Sequence, residues 1–418
     1  MISYQIEWST KLVRLNHTMS SKYTIKQILT TNQNWWRFYE KNKDNLRPSI
    51  VTTITKLLSC KNKIRGYHEY TCSNTNCSHI KYIPHTCKCK ACSSCGSKAT
   101  KEWVSKQNDI LPRTSWQHIT FTMPQIFWDC FWNNRFLLNK IGKIAADVIQ
   151  KISKKRGITV GNFIAIHTFG RDLKKNVHIH LSTTTGGLAD DNSKWKDVFF
   201  KQETIMKMWR YEIINLFRDA YRNNKLVLTN AIKEMLNPTF TFNSLLNRFY
   251  NKRWIVHCAK PSANHKINVE YLGRYTKRPA IAESKLRHFD GNEVAFKYLD
   301  HTTKTYRKVL MTAEEFIGRF VRHIPDANFR MIRYYGFLAN RVRGKLLPLI
   351  YSLIGDKTPK SENNTTTHAM LMKKEFGLDP LSCILCGSPL LLSGIHFGKG
   401  SITNLLKYHR QLALLKRI

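Results

Sequence analysis

Two histidines spaced two residues apart, His178 and His180, are the residues of this sequence that most directly suggest metal chemistry. They lie in the segment Val177-His178-Ile179-His180-Leu181, where apolar and imidazole side chains alternate, and this alternation predicts a β-strand. Residues i and i+2 of a strand point to the same face, so both imidazoles could reach one cation while the apolar residues face a core. Alone, such a pattern more often marks an ordinary histidine pair, so the interpretation depends on its context.

That context includes a basic segment with two tyrosines. Tyr271 and Tyr275 are four residues apart in a stretch of helical character, so their hydroxyl groups would share one helix face. Arg274, Lys277 and Arg278 surround that face with positive charge. Cleavage of a phosphodiester by tyrosine needs a phenol beside the scissile phosphate and a metal that polarises its oxygens. If the helix stood alone, core tyrosines with a solvated basic edge would be the simpler interpretation.

Cysteines suggest a second kind of metal site, because six of the eleven lie within residues 72–95. Cys72 and Cys77 form one pair and Cys92 and Cys95 another, and thiolate pairs of this kind clamp one tetrahedral Zn²⁺. The residues between the pairs that could replace a ligand or hold a second ion are Cys87, Cys89, His79 and His85. A complete shell of four protein ligands leaves no open position, so this zinc is expected to be structural.

A further cysteine pair, Cys383 and Cys386, lies near the C-terminus. With no second pair nearby in the sequence, it is interpreted as a degenerate zinc knuckle or as buried cysteines. The chain starts with no signal-peptide pattern, and it contains no apolar run of about 18 residues that would span a membrane. These features predict a cytoplasmic protein, in which cysteines bind metal more often than they form disulfides.

The charge of the chain indicates its class of partner. The sequence has 418 residues, with 68 lysines and arginines against 28 aspartates and glutamates, a formal net charge of +40. Such an excess disfavours small-molecule metabolism and points to a polyanion, most simply nucleic acid. Because 42% of the residues are hydrophobic and 11% aromatic, the chain can form a packed core and is not a disordered basic tail.

Hydrophobic periodicity predicts the elements that position these residues. The expected strands and helices alternate as in an α+β protein, with an antiparallel sheet covered by helices. Gly273 would cost about 1 kcal/mol inside its helix, which suggests that another group approaches closely there. The predicted helices are 24–58, 131–152, 204–223, 267–278 and one beginning at Thr312. The predicted strands are 119–123, 163–169, 177–183, 254–258, 293–299 and 305–310.

Taken together, these motifs resemble the HUH-type rolling-circle transposases of bacteria, specifically the insertion sequence 91-like family with two tyrosines. The resemblance extends from about residue 25 to about residue 345 and includes several separate motifs in order. Those motifs are Cys87 to Gly96, His118 to Pro124, His167 to Gly170, the His178/His180 pair with Gly186-Gly187, Tyr271 to Arg278, and Phe329 to Gly336. One difference is Ser93, which stands where the family usually has proline and leaves the cysteine spacing intact.

The resemblance also implies the order of the domains. A helical N-terminal segment (1–60) would precede a zinc-binding module (61–110) and an HUH endonuclease domain (115–290). A β-hairpin with a helical extension (291–360) and a C-terminal segment (361–418) would follow.

The resemblance also implies an activity: cleavage and rejoining of single-stranded DNA through 5′-phosphotyrosine intermediates. Tyr271 and Tyr275 would be the nucleophiles, and His178 and His180 would bind Mg²⁺ or Mn²⁺. The third ligand is either His167 or Asp172, depending on the register of the strands. The substrate would be single-stranded DNA at the element ends and target, with host replication factors as further partners and the nucleoid as location.

Two other functions would share part of these motifs. A plasmid rolling-circle replication initiator or relaxase would use the same chemistry at an origin hairpin. A non-catalytic zinc-dependent nucleic-acid-binding protein would share the charge and the cysteines, although the presence of both tyrosines and both histidines argues against a decayed copy.

Overall fold

The computed structural model describes residues 22–276, 278–300, 303–356, 369–370, 372–373, 377, 379–399 and 401–414. The side chains of His265, Arg274, Tyr275 and Thr276 are outside this description, as is the whole of Lys277.

Helices and antiparallel strands alternate along the chain, as an α+β fold requires. The helices are α1 (Ile25–Thr30), α2 (Asn34–Asn42), α3 (Pro48–Leu58), α4 (Ser93–Ile110), α5 (Cys130–Asn133), α6 (Phe136–Lys154), α7 (Gln202–Arg222), α8 (Asn230–Lys233), α9 (Phe242–Tyr250), α10 (His265–Thr276), α11 (Ala313–Arg322), α12 (Arg343–Leu353), α13 (Ile402–Lys407) and α14 (His409–Leu414). The strands are β1 (Gly66–Cys72), β2 (Ile80–Pro84), β3 (Trp116–Phe121), β4 (Ile158–Phe169), β5 (Lys175–Ala189), β6 (Trp195–Asp197), β7 (Val256–Cys258), β8 (Leu286–Phe289), β9 (Glu293–Leu299), β10 (Tyr306–Thr312), β11 (Ile332–Gly336) and β12 (Leu390–Phe397).

A six-stranded antiparallel sheet forms the centre of the molecule. Its strand order is β11-β4-β5-β3-β7, and β6 pairs with the end of β5. The long hairpin of β4 and β5 places His167 directly opposite His178. This register is what brings the histidines of two strands onto one face.

The two faces of the central sheet are covered by different helices. On one face, apolar residues of β3, β4 and β5, such as Phe121, Ile164 and Ile179, pack against α6, α7 and α9. On the other face, Trp116 and Phe163 contribute to a separate core with residues of α4, α10 and α12. The histidines lie on this second face, beneath α10.

A second body of the fold combines the N-terminal helices with a small sheet. The strands β10, β9 and β8 form a three-stranded sheet that packs with α1, α2, α3 and α11 in one core. Residues near the C-terminus complete this core, since Leu412 is buried in it and His409 accepts a hydrogen bond from Trp35 Nε1 at 2.7 Å. The C-terminal segment therefore packs against the N-terminal helices.

The expected α+β class with a zinc-binding region and an N-terminal helical segment is confirmed. The boundaries differ where side chains interrupt a periodic pattern. The expected helix 131–152 breaks at Asn134, whose side chain bonds both the amide and the carbonyl of Val227 at 2.8 Å. The expected helix 24–58 divides into three, because Asn32 and Gln33 have positive φ angles between α1 and α2, and Leu46 and Arg47 have extended backbone before α3.

Candidate metal centre and tyrosine helix

Three histidines from adjacent strands form a compact group on the face of the central sheet that α4, α10 and α12 cover. The candidate ligand atoms of His167, His178 and His180 all lie within 4.8 Å of one another. His167 and His180 are almost fully buried, and His178 is half-buried at the edge of the group. The predicted face of the strand is correct, because Val177, Ile179 and Leu181 are buried in the opposite core.

Asp172, the alternative third ligand, lies elsewhere. Its carboxylate accepts a hydrogen bond from the backbone amide of Lys174 at 3.1 Å in the β4–β5 turn. Among the described residues, it is not part of any group of ligands with the histidines. The strand register thus favours His167 over Asp172.

Neighbouring groups orient the imidazoles. His178 Nδ1 lies 3.0 Å from the carbonyl oxygen of Asn176, and His180 Nδ1 lies 3.0 Å from His118 Nε2. Histidines that bind metals commonly use their second ring nitrogen in such contacts, which fix the ring. The donor set and its supporting contacts therefore fit a divalent cation.

His118 is a site residue that the sequence interpretation missed. It lies on β3, where Ile119 and Phe121 face the opposite core, so the alternation already directs His118 to the face of His178 and His180. That signal was present within the motif His118 to Pro124.

Burial keeps these imidazoles neutral. It lowers the pKa of His178 to about 4, and burial together with the positive potential near His257 lowers the pKa of His118 to about 4. The pKa of His180 is also well below its ordinary value, first through burial and then through the other histidines. Neutral imidazole is the form that binds a metal, so His178 and His180 are in the binding state at neutral pH.

The tyrosine helix α10 lies against this group. The ring of Tyr271 is 4.9 Å from that of His118 and 5.9 Å from that of His180, and Tyr271 is half-buried. Tyr275 follows one turn later, with its backbone in the same helix. Of the predicted DNA-binding residues, Arg278 is half-buried, while Lys277 and the Arg274 side chain lie outside the described part.

Gly273 allows α10 to approach α4 closely. A Cβ atom at this position would lie 2.5 Å from Val104 Cγ2 and 3.4 Å from the ring of Trp103. The partner that the sequence suggested for this glycine is therefore a protein helix. The close packing fixes the height of Tyr271 above the sheet.

The cysteines form two separate groups of four. Cys87, Cys92 and Cys95 come together with Cys60, which directly follows α3. The measured sulfur separations are 3.7 Å for Cys60–Cys95, 3.5 Å for Cys87–Cys95 and 3.8 Å for Cys92–Cys60. Zinc bonded to four thiolates at about 2.3 Å separates the sulfurs by roughly 3.8 Å, so this group fits a structural zinc.

This arrangement corrects the expectation that Cys72 and Cys77 share one ion with Cys92 and Cys95. Cys72 and Cys77 instead lie with Cys383 and Cys386, the pair that the sequence treated as isolated. The hairpin of β1 and β2 carries the first pair away from the buried site at Cys60. Cys60 itself was missed, because a single cysteine carries no spacing signal.

None of the described helices is both long and apolar enough to cross a membrane.

Comparisons with known proteins agree with the division into a zinc-binding region and a second region. A family model described as a transposase zinc-binding domain matches residues 30–123, and one described as "Putative transposase" matches residues 161–345. No solved structure matches the chain.

Two curated relatives cover most of the chain. The transposase for insertion sequence element IS801 of Pseudomonas savastanoi pv. phaseolicola is 39% identical over 380 residues, which are 89% of this chain and 90% of the relative. "Putative transposase y4qJ" of Sinorhizobium fredii (strain NBRC 101917 / NGR234) is 27% identical over 330 residues, 77% of this chain and 82% of that protein. The resemblance drawn from the motifs is confirmed, and the chain belongs to the insertion sequence 91 family of transposases.

Proposed function

We propose that this transposase cleaves and rejoins single-stranded DNA with Tyr271 and Tyr275 as nucleophiles. The observation that carries the proposal is the position of the Tyr271 ring, 5.9 Å from His180 in a group of three histidines whose ligand atoms lie within 4.8 Å. A phenol and a cation site on one face of a sheet are what attack on a phosphodiester requires.

In the cleavage step, a tyrosine hydroxyl attacks the phosphorus of the scissile bond. The hydroxyl loses its proton and a bond forms between the phenolic oxygen and phosphorus. The bond from phosphorus to the 3′ oxygen breaks, and that oxygen leaves as a free 3′-hydroxyl after taking up a proton. The protein is then joined to the 5′ end of the DNA.

His167, His178 and His180 would hold Mg²⁺ or Mn²⁺, which would act as a Lewis acid on the non-bridging phosphate oxygens. Mg²⁺ prefers oxygen donors, so oxygens of the DNA and of water would complete its shell. His118 would act as a positioning residue, because it contacts both the His180 imidazole and the Tyr271 ring.

Two tyrosines allow two transfers in sequence. While one tyrosine holds a 5′ end, the other can cleave a second strand, and a free 3′-hydroxyl can reverse the first bond to rejoin DNA. Each transfer replaces one phosphoester by another, so no external energy source is needed. Rolling-circle transposition of an insertion sequence would use these steps.

The proposal is tested with labelled single-stranded oligonucleotides that carry candidate element ends taken from the flanking genomic sequence. We expect a covalent protein–DNA adduct on a denaturing gel that requires Mg²⁺ or Mn²⁺. The Tyr271→Phe/Tyr275→Phe double variant should form none, whereas Tyr250→Phe, which changes an exposed tyrosine on α9, should behave as wild type.

An adduct that persists in the double variant would place the nucleophile elsewhere. Binding without any adduct, for every candidate end and both metals, would favour the non-catalytic DNA-binding alternative. An adduct with origin hairpins but not with element ends would favour a replication-initiator activity, although the family match supports a transposase.

A further inference from the structure

The second cysteine group joins two parts of the chain that lie far apart in sequence. Cys72 Sγ is 3.4 Å from Cys386 Sγ, and Cys77 Sγ is 3.8 Å from Cys383 Sγ. These pairs are separated by 314 and 306 residues. All four sulfurs lie within 4.8 Å of one another, close enough for one ion to bond all of them in tetrahedral geometry after small shifts. Neither region matched by the family models reaches Cys383 or Cys386.

The loop around Cys383 has the backbone of a metal-binding knuckle. The amide of Leu385 points at Cys383 Sγ, 3.4 Å away, and the amide of Gly387 bonds the carbonyl of Cys383 at 2.9 Å. Gly387 has a φ angle of +76°, a conformation that residues with a side chain rarely adopt. The turn thus directs both cysteines of the Cys-x-x-Cys-Gly sequence to one point.

A three-stranded sheet places this knuckle beside the other pair. Its order is β12-β1-β2, with Cys72 paired to Leu390. The amide of Ser73 bonds the carbonyl of Pro389 at 2.9 Å, and His79 Nδ1 lies 3.1 Å from Cys383 Sγ. Cys72 ends β1, Cys77 lies in the β1–β2 connection, and Cys383 and Cys386 lie a few residues before β12, so both pairs lie at the same end of the sheet.

This sheet has little apolar core of its own. On β12, Leu391 is 58% exposed and Phe397 is 89% exposed, and Ile80 of β2 is 45% exposed. A small sheet that buries so little surface usually needs a disulfide or a metal to hold it. The structure has these four cysteines as free thiols, which makes a metal the natural cross-link.

We infer that Cys72, Cys77, Cys383 and Cys386 bind a second structural zinc and form a zinc ribbon assembled from the β1–β2 hairpin and the segment that precedes β12. Four soft thiolates in tetrahedral geometry select zinc over magnesium or calcium. The ion fastens β12 to β1, and so holds the C-terminal segment on the zinc-binding region. This site is distinct from the group at Cys60, and it does not depend on the proposed DNA cleavage.

The test is elemental analysis of the purified full-length protein, comparing wild type with the Cys383→Ser/Cys386→Ser variant. We expect the variant to hold one zinc fewer per chain. The matched control is Cys258→Ser, which changes a cysteine outside both groups and should leave the zinc content unchanged. Equal zinc content in wild type and the double variant would overturn the inference. The inference would also be overturned if wild type held one iron per chain that the double variant lacks, with no difference in zinc.

A second measurement covers the case in which the double variant fails to fold. In zinc-replete wild type, alkylation followed by mass spectrometry should show Cys386 protected, although this residue is exposed. A chelator should expose Cys72, Cys77, Cys383 and Cys386 together. Rapid alkylation of Cys386 in the zinc-replete protein would show that no ion is bound there.

Discussion

At the scale of single residues, burial decides what the histidines can do. Solvent-exposed imidazoles titrate near pH 6.5, but burial lowers the pKa of His178 to about 4 and shifts that of His180 in the same direction. These rings therefore stay neutral across the physiological range and bind a cation without first losing a proton. The cation would supply positive charge that the buried imidazoles themselves lack.

Substitutions of His167 and of Asp172 should affect the cleavage rate differently. His167→Ala should lower the rate of metal-dependent cleavage on the order of 100-fold or more, because it removes one of the three proposed ligands of the catalytic cation. Asp172→Asn should retain most of the activity, since Asp172 lies in the β4–β5 turn. Cleavage rates with Mn²⁺, together with DNA affinity for both variants, provide the measurement. Loss of activity in Asp172→Asn alone would reverse the assignment.

Replacing each tyrosine alone should impair a different step of the reaction. Tyr271→Phe and Tyr275→Phe keep the ring, so both variants should fold and bind DNA. Each removes one proposed nucleophile, so one variant should lose initial nicking and the other only the completing transfer. Separate assays of nicking and strand transfer, with circular dichroism as the folding control, distinguish the two steps. Identical defects in both assays would argue against a division of labour.

At the scale of elements, the sheet register and one close helix contact build the site. Alternation of apolar and polar residues was enough to predict β5 and its buried face. It could not choose between His167 and Asp172, because a shift of one residue in register exchanges the faces of a strand. In the folded chain His167 is paired with His178, which supports His167 as the proposed third ligand.

The contact between α10 and α4 gives a prediction about Gly273. Gly273→Ala should destabilise the protein by about 1–3 kcal/mol and reduce cleavage, because its Cβ would meet Val104 Cγ2 at 2.5 Å and push α10 away from the sheet. Adding Val104→Ala should restore part of both. Denaturant unfolding and the cleavage assay measure the two effects.

Gly344→Ala is the matched control, because a Cβ there would have no heavy atom within 4 Å. Because Gly344 lies in α12, where alanine is favoured over glycine, this variant should be at least as stable as wild type and should cleave DNA at the wild-type rate. If Gly273→Ala proves equally harmless, the height of α10 above the sheet does not depend on the close contact.

At the scale of the whole molecule, the chain topology determines which cysteines come together, and local sequence spacing does not show this topology. Local spacing identified the cysteine pairs, but it gave the wrong partners for Cys72 and Cys77. Their partners lie more than 300 residues away, and only the folded chain brings them together. His118 was predictable from alternation, whereas Cys60 had no local pattern that would single it out.

The net charge of +40 predicts strongly salt-dependent binding to single-stranded DNA. Each phosphate neutralised by the protein contributes about −0.7 to the slope of the logarithm of affinity against the logarithm of salt concentration. A slope of several units should appear in a titration from low to moderate salt with a fluorescent oligonucleotide. A slope near zero would mean that the charge serves another partner.

The central claim, that Tyr271 and Tyr275 are the nucleophiles, is tested most directly by mapping the covalent adduct. Wild-type protein is incubated with a single-stranded end oligonucleotide and Mn²⁺, digested with nuclease and protease, and analysed by mass spectrometry. We predict a nucleotide attached through its 5′-phosphate to the phenolic oxygen of Tyr271 or Tyr275. A 5′-phosphate attached to any other residue, or a 3′-phosphate attached to these tyrosines, would contradict the account.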